Sequence, residues 1–457
     1  MNEEKNKELV KRIAGLVKEN KQLTNQILEL SKLNDKLTDE YESLKEGIKE
    51  YSKVSAKSLK FKMATVLFVD ITGFEDISKQ GNPNTLIDEL DTIFIHFDAI
   101  SEKYNIEKIK TIGDSYMCAG GVPVKNNTNP LDVVLAALEI QQCMNDMQTK
   151  CEKEGKSFWQ FRIGIHTGPV TATTMGTKKV SYSLKGDTVN IASRFQSASE
   201  IGKINISVMT YELIKEYFTC DYHGILPVKY KDDHEMFYVR RIKKAYSVER
   251  KGKVPNDIFN VKYKLRQFAD IQEIFLDKLE KELPSFLYYH NAKHTIDVIT
   301  QVELIGWGEG VTDKELLILK TAALFHDMGQ IQGAKNHEEK SCEYAEKLLT
   351  KFNYTKQEIE LINNIIMATQ LPPTPKTLLQ KIICDSDLDY LGRSDFIPVS
   401  DTLFKELKEQ NIITSLNEWN KLQVKFLSGH AYFTNTAKNL REVNKQDQID
   451  RISDLIH

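Results

Sequence analysis

A 4-3 alternation of apolar residues runs without a slip through residues 9–51: Leu9, Ile13, Leu16, Asn20, Leu23, Ile27, Leu30, Asn34, Leu37, Tyr41, Leu44, Ile48 and Tyr51. A seam this regular constrains the chain to a coiled coil, because a repeat of 3.5 keeps one stripe facing a partner helix over several turns. The four-residue step runs from d to a, which puts Leu9, Leu16, Leu23, Leu30, Leu37 and Leu44 at d and Ile13, Ile27 and Ile48 at a. Ile at a with Leu at d favours a parallel two-stranded coil, and Asn20 and Asn34 at a would penalise other registers. At 1.5 Å per residue the rod would be roughly 65 Å long. One domain of this chain could not cover that length, so a homodimer with parallel chains is expected.

The 457 residues predict two or three modules of roughly 150 residues each. Residues 1–60 are read as coiled coil and a Ser/Lys-rich hinge. From 61 to 245, β-type runs such as ATVLFVDI alternate with helical ones such as NTLIDELDTIFIHFDAI, the pattern of an α/β domain. The charged run at 240–253 reads as a linker. From 255 to 457 the periodicity is helical and Pro residues mark turns, so an all-α domain is expected. A net charge of −3 provides no field to concentrate nucleic acid or anionic lipid, and neither is an expected partner. The six cysteines form no CxxC pair, which argues against a disulfide framework and a structural zinc site. With no long apolar stretch and no secretory-type start, a cytoplasmic protein without membrane insertion is expected.

In the middle module two carboxylates sit at the ends of apolar strands, Asp70 in VLFVDITGF and Asp114 in KIKTIGDSYM. Gly73 and Gly113 beside them permit close approach of backbone and carboxylate to a bound group. Two such carboxylates can hold hard cations on triphosphate oxygens, with the carbonyl of Ile71 as a further ligand. Asn190 and Arg194 are one helical turn apart and share a face.

FVDITGF, EKIKTIGDSYM, FRIGIHTGPV and YSLKGDTVNIASR, in that order, resemble the class III nucleotidyl cyclases, the adenylate and guanylate cyclase family. The resemblance implies a ferredoxin-like domain that pairs head to tail, each site being built from both chains. It implies two Mg²⁺ or Mn²⁺ ions on Asp70, Ile71 and Asp114, with Phe74 among the substrate contacts. Asn190 would position the ribose and Arg194 would stabilise charge on the reacting phosphate. Lys110 and Ser183 stand at the base-selecting positions; in the family Lys with Asp, Thr or Ser goes with ATP, and Glu with Cys goes with GTP. The VKYKDD stretch offers Lys229 or Lys231 to the outer phosphates, with Tyr230 where the family usually has Gly.

The last module holds His290 and His294 in YHNAKHTIDV, His326 and Asp327 in ALFHDMG, His337 in NHEEKS, and Asp385 and Asp387 in ICDSDLDYLG. On a helix His290 and His294 would be an i,i+4 pair able to converge on one metal. The set resembles the HD superfamily of metal-dependent phosphohydrolases, and YHNAKHTIDV is similar to the cyclic-nucleotide phosphodiesterases. The resemblance implies divalent metal ions held by His294, His326, Asp327 and Asp387, the last preferred to Asp385, and His290 as the general acid. The expected protein is therefore bifunctional, a cyclase converting ATP to cyclic AMP and pyrophosphate and an HD domain hydrolysing a cyclic nucleotide. The alternatives are an HD domain acting on another phosphoester or serving only as a binding module.

Overall fold

A computed structural model describes residues 58–72, 83–155, 158–175, 181–226 and 233–457. The heptad region lies outside them, as do Phe74, Lys229 and Lys231. The chain divides into two compact units, Met1–Lys60 with Thr171–Leu184, and Phe61–Val170 with Lys185–His457. In the first unit the described residues are mainly the end of strand β4 (Gln160–Met175) and most of β5 (Ser181–Lys185), which pairs with it.

The second unit begins with an α/β layer. Its strands are β1 (Ser58–Thr72), β2 (Glu107–Ile112), β3 (Ser115–Gly120), β4, β6 (Ile204–Ser207), β7 (Phe218–Leu226) and β8 (His234–Ile242), in the order β2-β3-β1-β4-β6-β8-β7. β1 pairs antiparallel with β3, and β4 runs parallel to β6. Side chains alternate across a strand. Leu67, Val69, Ile71, Ile163, Ile165, Ile204 and Ile206 thus share a core with Phe97 of α1 (Pro83–Lys103) and Ile140 of α2 (Asn129–Lys153). Residues of opposite parity face α3 (Asp187–Ser197), which buries Ile191 and Phe195 against Met236. α3 lies very close to the sheet, since a Cβ on Gly164 would stand 2.0 Å from the Gln196 backbone nitrogen. Glycine there is a packing requirement. α4 (Val208–Ile214) is capped by Ser207.

The charged run at 240–253, expected as a linker, is folded. The Ile242 N–H donates to the Gly252 carbonyl at 3.0 Å, Val248 N–H donates to Val254, and Tyr246 packs on the sheet core. Its backbone groups find partners in tight turns, which an inventory of charges does not reveal.

All helices follow: α5 (Asp257–Glu282), α6 (Ala292–Gly308), α7 (Asp313–Phe325), α8 (His337–Leu349), α9 (Lys356–Ile366), α10 (Leu378–Asp387), α11 (Phe396–Glu409) and α12 (Leu416–Gly429), closed by Val443–Ser453. Their starts are written locally. Thr312 with Glu315, and Thr355 with Glu358, form reciprocal capping boxes. α5 joins two cores, with Phe259 buried in that of the sheet and Phe268, Ile271, Phe275 and Leu279 in that of the helices. An α/β sheet followed by a helical region is the expected class. Among the described residues no helix is long and apolar enough to cross a membrane.

Candidate active sites

The turn between β2 and β3 has two residues, Gly113 at φ +59° and Asp114. Positive φ at its first position is what a tight hairpin turn of this kind requires, and Gly supplies it without strain. The Ile71 N–H donates to the Asp114 carbonyl at 3.0 Å, which ties the turn to the end of β1 where Asp70 stands. The pair is close enough to interact. Burial, then the charge of Asp114, push the Asp70 carboxyl up, against Arg162 and a hydrogen bond from Gln196. A carboxylate whose proton affinity is raised by burial and by a neighbouring carboxylate is one that a divalent cation would relieve.

Lys110 is exposed on β2, and Ser183 is half-buried on β5 in the smaller unit. Asn190 and Arg194 are exposed on α3, opposite its buried residues Ile191, Phe195 and Gln196.

The helical region assembles the second set. His290 is not on a helix: α6 begins at Ala292, with Asn291 as its cap accepting from the N–H groups of Lys293 and His294. The expected i,i+4 helical pair is thus replaced by a turn residue and a first-turn residue, because Asn is a strong cap and stops the helix there. His326 ends α7, and the chain then tightens, which lets adjacent His326 and Asp327 face one point with Nε2 and Oδ2 3.2 Å apart.

His294 Nε2 lies 3.3 Å from His326 Nε2, 3.0 Å from Asp387 Oδ1 and 3.5 Å from Asp327 Oδ2. His294, His326 and Asp327 are buried and Asp387 is half-buried beside them, and the ligand atoms of His294, His326 and Asp327 fall within 4.8 Å of one another. His326 Nδ1 faces the Ala323 carbonyl at 2.8 Å, so in the neutral ring the proton is there and Nε2 presents its lone pair to the centre. Asp327 Oδ2 is buried without a hydrogen bond. Lone pairs converging on an orphaned carboxylate oxygen fit a divalent cation.

The charges respond to one another. Burial alone would lower the pKa of His326, but Asp327 and Asp387 hold it well above the ordinary value. Burial would raise Asp387, yet hydrogen bonds from His294 and His326 keep it well below the carboxylate range. Asp385 is occupied elsewhere, accepting from the Phe433 and Thr434 N–H groups and the Thr434 hydroxyl at 2.7–2.9 Å.

Glu406 was not found by sequence reasoning. It is 2% exposed, accepts the N–H groups of Tyr289 and His290, and has Oε1 2.5 Å from His290 Nδ1. It stands on α11, 116 positions from its partner, in a stretch with no motif. His337 also joins the cluster, its Nε2 3.3 Å from Asp327 Oδ1. Beside His290 and Asp387 opens a mainly apolar cavity of about 320 Å³ lined by Leu371, Phe396, Trp419, Gln423 and Phe426.

Residues 56–241 match the family described as the adenylate and guanylate cyclase catalytic domain, and residues 291–389 match the HD domain. The chain is 37% identical over 175 residues to the receptor-type guanylate cyclase gcy-8 of Caenorhabditis elegans, covering 37% of this chain and 15% of that protein. It is 38% identical over 156 residues to guanylyl cyclase C of Homo sapiens, covering 34% and 14%. Among solved structures, the adenylyl cyclase CyaB from P. aeruginosa is similar at 30% identity, 40% of this chain and 96% of that one, with a TM-score of 0.38. The chain thus spans about a seventh of the length of the curated relatives named. It carries the catalytic domain of the class III adenylate and guanylate cyclases followed, in the same chain, by an HD domain.

Proposed function

We propose that this chain is a bifunctional cyclic-nucleotide enzyme whose cyclase domain forms cyclic AMP from ATP and whose HD domain hydrolyses a cyclic nucleotide. The observation that supports it best is the convergence of His294, His326, Asp327 and Asp387 beside a Glu406-backed His290, downstream of a cyclase domain. Divalent cations, held by Asp70 and Asp114 in one site and by the His/Asp set in the other, would neutralise phosphate charge and lower the pKa of the attacking oxygen.

In the cyclase domain the Lys110 amine donates to adenine N1 and the Ser183 hydroxyl serves the exocyclic position. Asn190 orients the ribose and Arg194 stabilises the charge developing on the phosphate, both reaching the site of a partner chain in a head-to-tail homodimer. Lys229 or Lys231 would meet the outer phosphates and Phe74 the nucleotide.

In the HD site His290 holds a proton for the leaving 3′-oxygen. Burial lowers its pKa, but the hydrogen bond to Glu406 and the charges of Asp327 and Asp387 raise it overall. With Nδ1 engaged by Glu406, Nε2 is the atom that delivers the proton. The cavity lined by Phe396, Trp419 and Phe426 suits the flat face of a base, with the Gln423 amide for its polar edge.

GTP is the second reading, since the two curated relatives named above are guanylate cyclases. Initial rates of the full chain on ATP and on GTP with Mg²⁺ or Mn²⁺ decide between them. ATP should be preferred, and Lys110→Glu should lower that preference by about tenfold or more. Absence of pyrophosphate from either nucleotide would reject the cyclase half, and no release of 5′-nucleotide from cyclic AMP or cyclic GMP would reject the HD half.

A further inference from the structure

A row of buried polar side chains crosses the α/β layer with no part in either site. Thr65 Oγ1 donates to Asn129 Oδ1 at 2.6 Å and lies 2.9 Å from Thr167 Oγ1. Thr167 continues to Thr210 at 3.0 Å, Thr210 to Ser207 at 3.3 Å, and Ser207 to His166 Nδ1 at 2.7 Å. All six side chains are buried, none more than 5% exposed. The His166 ring stacks on Phe195 of α3 at 6.3 Å and 17°.

Each hydroxyl has one proton to give, so the direction of the whole row follows from one end. The Asn129 amide donates its Nδ2–H to the Asn126 carbonyl, which turns Oδ1 toward Thr65 as an acceptor. Thr65 has then spent its proton, so Thr167 must donate to it, Thr210 to Thr167, and Ser207 to Thr210. Ser207 can only accept from His166. The ring must carry its proton on Nδ1. Burial, with His234 nearby, depresses the His166 pKa to about 4, so the ring is neutral near pH 7 and its tautomer is a defined state.

The end that sets the direction is gripped by α5. The backbone N–H and side-chain amide of Asn127 donate to Asp270 at 2.9–3.1 Å, Arg266 Nε donates to the Asn127 carbonyl at 2.7 Å, and Lys125 pairs with Glu273. Tyr263 donates to Asp132 at 2.8 Å in the first turn of α2. The Asn126 carbonyl that orients Asn129 therefore lies in a segment whose geometry is held by the first helix of the helical region.

We propose that this row is a hydrogen-bond relay: the grip of α5 on residues 125–128 fixes the tautomer of His166 under α3, and so positions the helix that bears Asn190 and Arg194. Coupling of this kind needs an element with two discrete arrangements. A one-way row of hydroxyls supplies it, since rotating the Asn129 amide turns every hydroxyl round and makes Nδ1 an acceptor, so that the ring releases its Nδ1 proton to water and takes one from water at Nε2.

The test is nitrogen NMR of the full chain labelled on histidine, with the His166 signals identified by their loss in His166→Gln. The parent should show the Nδ1–H tautomer alone. Thr167→Val, which cuts the row, and Arg266→Ala, which loosens the grip from the surface, should each produce a mixture with Nε2–H, while Thr167→Ser should keep the parent state. Amide exchange across 187–197 should rise about tenfold in the first two variants and stay unchanged in the third. An Nε2–H parent, an unchanged tautomer in Arg266→Ala, or unchanged exchange of α3 would each overturn the relay. Neither readout requires turnover, so failure here is distinct from failure of the proposed activities.

Discussion

His290 and Glu406 show what a single contact can decide. Glu406 receives three donors from the 289–290 segment, so it holds the ring in place and raises its proton affinity together. Glu406→Gln should lower hydrolysis about 10- to 100-fold, and His290→Gln about 100- to 10,000-fold, the range for a lost general acid. The sign of the pH effect follows from the direction of the shift. As the proposed general acid His290 would act when protonated, and Glu406 raises its pKa; without that charge the ring deprotonates earlier, so the alkaline limb of the rate profile should move to lower pH in Glu406→Gln. An unmoved limb with reduced rate would assign Glu406 to structure alone.

At the scale of elements, α3 and α5 are the parts on which the proposed functions rest. Gly164→Ala would put a methyl 2.0 Å from the Gln196 nitrogen, so α3 must lift from the sheet. Overpacking of this kind costs about 1–3 kcal/mol, and displacing Asn190 and Arg194 by about 1 Å should cost cyclase turnover about 100-fold. Hydrolysis by the same protein should be unaffected.

The α2–α5 seam carries a different signature. Asp132 is 6% exposed, and burial, opposed by hydrogen bonds from Tyr263 and Thr128, raises its pKa from 3.8 to about 6. The unfolded chain releases this proton near 3.8, the folded one near 6. Between these values the folded state binds more protons, so this group's contribution to stability falls as pH rises through the window. Asp132→Asn lacks the term, and its stability relative to the parent should improve between pH 4 and pH 7 by at most about 3 kcal/mol. Urea unfolding of both proteins across that range measures it.

Across the whole molecule the two sites use separate side chains on a shared frame. His326→Ala should abolish hydrolysis and weaken metal binding in the HD domain, and pyrophosphate formation should persist at no less than about half the parent rate. Loss of both activities would show that the HD site supports the cyclase by more than the seam. α5 makes such a link physically reasonable, since Phe259 lies in one core and Phe275 in the other.

Much of this was legible in order along the chain. Strand alternation in ATVLFVDI, the helical periodicity and Pro-marked turns after residue 255, and the His/Asp motifs are local signals, because period and residue chemistry act within a few positions. They were enough to place an α/β module before an all-α one and to nominate Asp70, Asp114, His294, His326, Asp327 and Asp387. Three things needed tertiary structure. Whether Asp385 or Asp387 faces the histidines depends on which carboxylate the 433–434 segment claims. Glu406 lies 116 positions from His290, and Thr65 lies 102 from Thr167, so neither contact leaves a pattern in sequence. The reason is common to all three: a buried polar atom must find a partner wherever folding puts one, and only the packed chain sets that distance.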